Sequence, residues 1–300
     1  MKLLPVKLRG ILWFLASCFF FAAMSVDIKH MANLGASTFT MIFMRTVFAI
    51  ILMYPIMRIK SRKQKYGIGN KVLFMWRTVL GFGGMLLMFQ SVKLLPVNSF
   101  VAISFIIPVF ASIGAVMFLG EKMGWHRWGA VAVGFIGMLI IVQPGHMEIG
   151  LGLAICLIFC FITAVILLMV KKLSATEDTF SMMYYLHLWM GYMTLPLIFF
   201  TYKELTPQII LWGFGLAIIS ICAHYTLVRS YAMVELTLTA PFEFSRILMA
   251  SGFAYVFLGE VPEPESYIGA AIIVASAVYI ARREAMKSKI QLEKDIISSF

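Results

Sequence analysis

The sequence predicts an all-α membrane protein with ten transmembrane helices arranged as two inverted five-helix repeats. Three observations carry that prediction. Of 300 residues, 61% are hydrophobic and 13% charged, an apolar share well above the roughly half that soluble domains use. The apolar residues come in long blocks rather than helical stripes, and about 18 or more with few charges have the length of a bilayer-spanning helix. Thirdly, Phe105 to Glu121 (FIIPVFASIGAVMFLGE) returns in diverged form as Phe244 to Glu260 (FSRILMASGFAYVFLGE), 139 residues on without a gap. Between Gln90/Arg229 and Glu121/Glu260, nine of 32 positions are identical. Such self-similarity marks a duplicated chain.

Ten apolar blocks follow in order: 10–26, 37–57, 72–92, 97–119, 128–143, 150–170, 179–200, 208–228, 237–258 and 266–281. Backbone in lipid must satisfy its own hydrogen bonds, so these blocks are helices. The first follows Lys2, Lys7 and Arg9 as a signal peptide would, but it lacks a cleavage site and runs into Asp27 and Lys29, so it reads as a retained helix. The longest connection, Arg58 to Lys71, holds six Lys/Arg and leaves no room for a soluble domain. The halves divide as 1–145 and 146–285, with a tail over 286–300.

The net charge of +11 is not spread like a nucleic-acid footprint. With the N-terminus in the cytoplasm, eighteen Lys/Arg fall in cytoplasmic segments and three (Lys29, Lys93, Lys203) on the other side. That bias places both termini in the cytoplasm by the positive-inside rule. The repeat copies, in blocks 4 and 9, then cross in opposite directions. Halves inverted in this way form a transporter architecture, with the substrate near the midplane between them.

The residues also resemble a family. The two Phe-Leu-Gly-Glu endings, Gly129-Ala130 with Gly137, Gly269-Ala270, Arg77 with Gly81, Gly83 and Gly84, and Ala240-Pro241 are similar to those of bacterial drug/metabolite transporters of the EamA type. The resemblance spans nearly the whole chain. It implies a multi-pass protein of the bacterial inner membrane that moves small metabolites such as amino acids, amines or nucleotide-like compounds. The charged segments also resemble the branch that includes S-adenosylmethionine uptake carriers.

Glu243 and Arg246 are the leading candidates for substrate contact. They sit in block 9, roughly 12–16 Å from its start at about 1.5 Å per residue, and at i, i+3 they share a face. Thr239, Glu243, Arg246, Ala250 and Ala254 form a polar-to-small stripe. The counterparts of the pair in block 4 are Ser104 and Ile107, so the charges exist in one half only. A buried ionisable residue in a membrane is a functional candidate; the rival reading is a pair that merely neutralises itself. Arg45 is either a substrate ligand or a snorkelling or paired arginine. His187 and His224 are proton relays or packing residues. Trp13 and Tyr225 are candidates for cavity walls, Trp76 and Trp212 for the interfacial belt.

Other residues read as structural. Glu121 and Glu260 close a helix at Gly and complement the N-terminus of the next, worth roughly 0.3–1 kcal/mol. Arg77 reads as an anchor at the cytoplasmic end of block 3, and Asp27 and Lys29 as solvated loop residues. Cys156 and Cys160, at i, i+4, read as small packing residues. No phosphate loop, metal-ligand spacing or nucleophile triad is present, so an ATP-driven pump within this chain and a bound cofactor are not expected.

The expected function is therefore a secondary transporter working by alternating access on a small polar or zwitterionic metabolite. The cargo class is an amino acid or its derivative, with S-adenosylmethionine-like molecules included through the resemblance. Its partners are that small molecule and the lipid bilayer, not nucleic acid, and a homodimer stays open. An intramembrane enzyme using His187, His224 and Glu243, or a channel, are the alternatives.

Overall fold

In the computed structural model of the chain, the described residues are 5–61, 68–95, 100, 103–104, 106–142, 150–197, 205–258, 267–269, 271–280, 282–283 and 286. Outside them lie Gly259 and Glu260, Ala270, His146, Lys203, most of the basic loop after Ser61, nearly all of the tail, and the side chain of Ala254. Among the described residues there is no strand.

The helices are α1 (Val6–Asn33), α2 (Thr38–Ser61), α3 (Lys71–Leu94), α4 (Ile106–Phe118), α5 (Trp125–Val142), α6 (Leu151–Ser174), α7 (Thr179–Thr194), α8 (Pro207–Tyr231), α9 (Leu236–Glu243) and α10 (Ser245–Leu258). Residues 267–269 and 271–280 are helical as well. By length and apolarity, α1, α2, α3, α6 and α8 are each able to cross a membrane. Large apolar side chains such as Phe118, Val256 and Trp76 point outward, as a lipid-facing surface requires and an aqueous one does not tolerate in such number.

Two block boundaries differ from the sequence reading. The first helix runs past Asp27 and Lys29 to Asn33. It stops there because Gly35 takes φ of +87°, letting Gly35 N donate to Ala32 O at 3.0 Å and Ala36 N to Met31 O at 3.1 Å, the paired bonds of a Schellman stop. Asp27 is therefore a buried helix residue, 4% exposed, not a solvated loop residue. The ninth block is two helices. Pro241 supplies no N–H to the ladder, the chain turns at Phe244, and Ser245 Oγ donates to Phe242 O at 2.6 Å.

α1 packs along α8 and α10, α6 along α3 and α4, α2 along α7, and α9 against α4 and α5. Small residues allow this closeness, since helices in lipid associate by packing more than by hydrophobic burial. A β-carbon on Gly134 of α5 would strike the ring of Phe244, and one on Gly10 of α1 would strike Val234. Ser230 Oγ closes the same α1–α8 seam by donating to Gly10 O at 2.8 Å.

Charged side chains gather where α8 gives way to α9, at the end of the bundle that holds Lys171 and Arg127. There Glu121 accepts from Leu236 N and Thr237 N, both at 3.0 Å. Arg127 pairs with Glu235 at 2.6 Å and donates to Thr237 Oγ1 at 3.0 Å. Lys171 Nζ donates to Tyr231 O at 2.7 Å and Val234 O at 2.6 Å. So Glu121 does cap a helix, but that helix is α9, 115 residues downstream, rather than the next in sequence.

Candidate functional site

The break in the ninth block builds the site. Glu243 ends α9 and Arg246 stands in the first turn of α10. A carboxylate at a helix C-terminus and a guanidinium at an N-terminus each oppose the local dipole. Each is stabilised instead by the other: Arg246 Nη1 lies 2.9 Å from Glu243 Oε1. The other terminal nitrogen, Nη2, donates to Ser104 Oγ at 2.9 Å. Ser104 is the repeat counterpart of Glu243, so positions related by the duplication meet here.

Arg246 stands between two cavities. The first, of about 170 Å³, is lined by Arg45, Arg77, Ser104, Thr163, His224 and Arg246, with apolar walls from Phe21, Phe100 and Phe159. The second, of about 60 Å³, is lined by Tyr231, Thr239, Glu243 and Arg246 and lies on the side of the basic end. Of the stripe read from sequence, Ala250 lines the first cavity, Thr239 and Glu243 the second, and Arg246 both.

Arg45 and Arg77 are charged groups of the first cavity with no ion-pair partner among the described residues. Arg45 is 3% exposed; its Nη2 approaches only Met190 Sδ, at 3.7 Å, and its Nε has no partner. Arg77 is 4% exposed, with Nε and Nη1 both without a partner and its guanidinium 5.9 Å from the Phe74 ring centre. It is thus a cavity residue, not the interfacial anchor its position near the start of α3 suggested. The signal was available: Arg77, Gly81 and Gly84 recur at i, i+4, i+7, and all three line the cavity.

His224 lines the cavity as well, with Nδ1 2.9 Å from Ser220 O. His187 sits one ring behind it, centroids 6.2 Å apart. It is fully buried, with Nδ1 2.8 Å from Met183 O and Nε2 without a partner. Facing a carbonyl, each Nδ1 donates. Trp13 and Tyr225 pack edge to face at 5.9 Å and line neither cavity. Asp27 has both carboxylate oxygens unpartnered, beside Gly215 of α8, and also lines neither cavity. Cys156 and Cys160 are fully buried free thiols. Among the described residues no group of His, Cys, Asp and Glu is disposed to hold a metal.

The site therefore combines a broken helix, an ion pair at the break and a mostly apolar chamber with a few convergent polar groups. That is the anatomy of a small-molecule pocket inside a membrane bundle. The sequence profile of the EamA-like transporter family matches residues 8–143 and, a second time, residues 150–282. The chain belongs to the EamA-like transporter family. Three relatives show how far cargo varies among EamA-like proteins. An S-adenosylmethionine uptake transporter of Rickettsia felis is 27% identical over 95% of this chain and 97% of its own. A riboflavin transporter of Vibrio cholerae is 27% identical over 94% and 96%. A pseudopaline exporter of Pseudomonas aeruginosa is 22% identical over 91% and 96%. A solved crystal structure superposes with TM-score 0.71 at 15% identity, covering 94% of this chain and 96% of that one, a likeness of fold. As an EamA-like protein this chain is a membrane-embedded small-molecule transporter.

Proposed function

We propose that this EamA-like chain is a secondary carrier with ten spans in two inverted halves, moving a small polar, amino-acid-like metabolite across the inner membrane by alternating access. The observation that carries the reading is the ion pair Glu243–Arg246 at 2.9 Å, held at a helix break beside both cavities. Its opposite charges suit an ammonium and a carboxylate, and broken helices are where such carriers bind cargo. Two further facts support two related halves. The family profile matches twice in tandem. The helix seams also come in pairs: α1 on α8 answers α6 on α3, and α1 on α10 answers α6 on α4, each pairing an element of one half with its equivalent partner in the other. The S-adenosylmethionine named for one relative is an amino-acid derivative, in line with this cargo class. Cargo identity does not pass between proteins with the fold.

Counterflow in proteoliposomes tests the mechanism. A carrier exchanges labelled cargo against unlabelled cargo, a channel conducts down a gradient without exchange, and an enzyme returns an altered molecule. Cysteine-accessibility labelling tests the topology: probes at Gln64 and Gln291 react from the cytoplasm, probes at His146 and Lys203 from outside. An even number of crossings between Gln64 and His146 overturns the inverted repeat.

A further inference from the structure

We propose that Arg45 and Arg77 form an oxyanion subsite of the cavity, taking a carboxylate or phosphate group of the cargo separately from the Glu243–Arg246 pair. The proposal rests on the carrier reading and adds to it a second place for an acid group, apart from the pair. Arg246 has its terminal nitrogens engaged, one by Glu243 at 2.9 Å and one by Ser104 at 2.9 Å. Among the described residues that line the first cavity there are three arginines and no Asp or Glu, so Arg45 and Arg77 have no carboxylate partner there. Both are more than nine-tenths buried, and N–H groups of both lack partners: Nε of Arg45, and Nε and Nη1 of Arg77. A buried guanidinium without an anion costs several kcal/mol, so the fold bears a cost at these two positions that a bound oxyanion relieves.

The local packing keeps that volume open. Met190 fixes the head of Arg45, and its methyl would touch any β-carbon placed on Gly81, one turn beyond Arg77. Glycine at 81 and 84 leaves the chamber beside Arg77 unfilled, with Ile162 and Ile166 as the facing wall at Gly84. Guanidinium groups prefer planar oxyanions through paired N–H donors, and apolar walls such as Phe100 and Phe159 lower the local dielectric, which strengthens such a contact. Two uncompensated guanidiniums are neutralised by two negative charges, as a dicarboxylate or a phosphate monoester supplies them.

Thermal unfolding of the purified full chain is the test, with succinate, L-glutamate and inorganic phosphate as oxyanion probes and putrescine as a cation without an acid group. The wild type is expected to be stabilised by at least one oxyanion and not by putrescine. Arg45→Gln and Arg77→Gln each weaken that response about ten- to a hundredfold in probe concentration, while Arg45→Lys and Arg77→Lys keep part of it. Without probe, both Gln variants unfold at or above the wild-type temperature, because a buried unpartnered charge has gone; a structural arginine gives the opposite sign. No response to any oxyanion, or a response unchanged in both Gln variants, overturns the proposal. A response seen only on adding phosphatidylglycerol to phosphatidylcholine nanodiscs assigns the oxyanion to lipid and overturns the cargo assignment. Arg-dependent stabilisation without counterflow rejects the carrier reading and leaves the subsite standing; counterflow of a neutral cargo unaffected by Arg45→Gln and Arg77→Gln does the reverse.

Discussion

Two regions of this bundle use the same kinds of side chain under opposite conditions. At the basic end, Glu121 takes two backbone N–H groups, Arg127 takes Glu235, and Lys171 takes two carbonyls. All three grip the junction of α8 and α9, from Tyr231 to Thr237. In the cavity, Arg45 and Arg77 are more deeply buried and hold N–H groups with no partner. Charges with full partner sets stabilise one conformation, because removing either side strands the other. Charges left short of partners do not stabilise the fold that contains them. The first region reads as structure, the second as reception for something that arrives and leaves. Glu243 and Arg246 stand on the border, paired with each other yet lining open space.

The sharpest way to break the comparison is at that border. Glu243→Gln and Arg246→Gln each cut counterflow at least tenfold with the protein folded and inserted, since a charge-assisted contact contributes about 1.5–3 kcal/mol. The double variant assigns the pair. Recovery of stability and transport together places it with the structural charges of the basic end; recovery of stability alone places the cargo on it. Glu121→Gln comes next. With two backbone donors on one carboxylate, the loss is about 1–3 kcal/mol by thermal unfolding, more than a solvated helix-end charge contributes, while cargo affinity stays unchanged. A large fall in affinity at full stability would move Glu121 out of the structural class. The smallest effect belongs to Arg127→Met, at most about 1 kcal/mol, because Glu235 is half exposed and the pair is screened.

Much of the architecture was legible because lipid imposes length and apolarity on every span, and because the repeat survives in the letters from Phe105 and Phe244 onward. The split of the ninth block was half written: Pro241 was visible, but the turn at Phe244 depends on Gly134 admitting its ring. Asp27 and Arg77 were misjudged for different reasons. A block drawn from hydropathy stops at the first charge, whereas the helix continues where a neighbour covers that charge, as α8 does for Asp27. Arg77 lay inside its block and was judged by its depth near the start of α3, which does not show that it lines the cavity. The partner of Glu121 was illegible, since nothing local joins it to Leu236 across 115 residues. Trp13 and Tyr225 were drawn to the cavity by residue type, and they pack on each other instead.

In the proposed carrier, Arg45 and Arg77 would also expose the cavity to the electric field across the bilayer. A carrier that rocks its halves about a central site moves the charges of that site through part of the field. With Glu243 and Arg246 cancelling, the unloaded first cavity travels with the charge of two guanidiniums, and each bound acid group removes one. One elementary charge crossing the whole membrane corresponds to about 2.3 kcal/mol per 100 mV. A potential negative inside therefore holds the unloaded site facing inward and slows its return, while a site filled by a dianion moves without regard to voltage. Net flux then answers to membrane potential through the empty return, and one-for-one exchange of cargo does not.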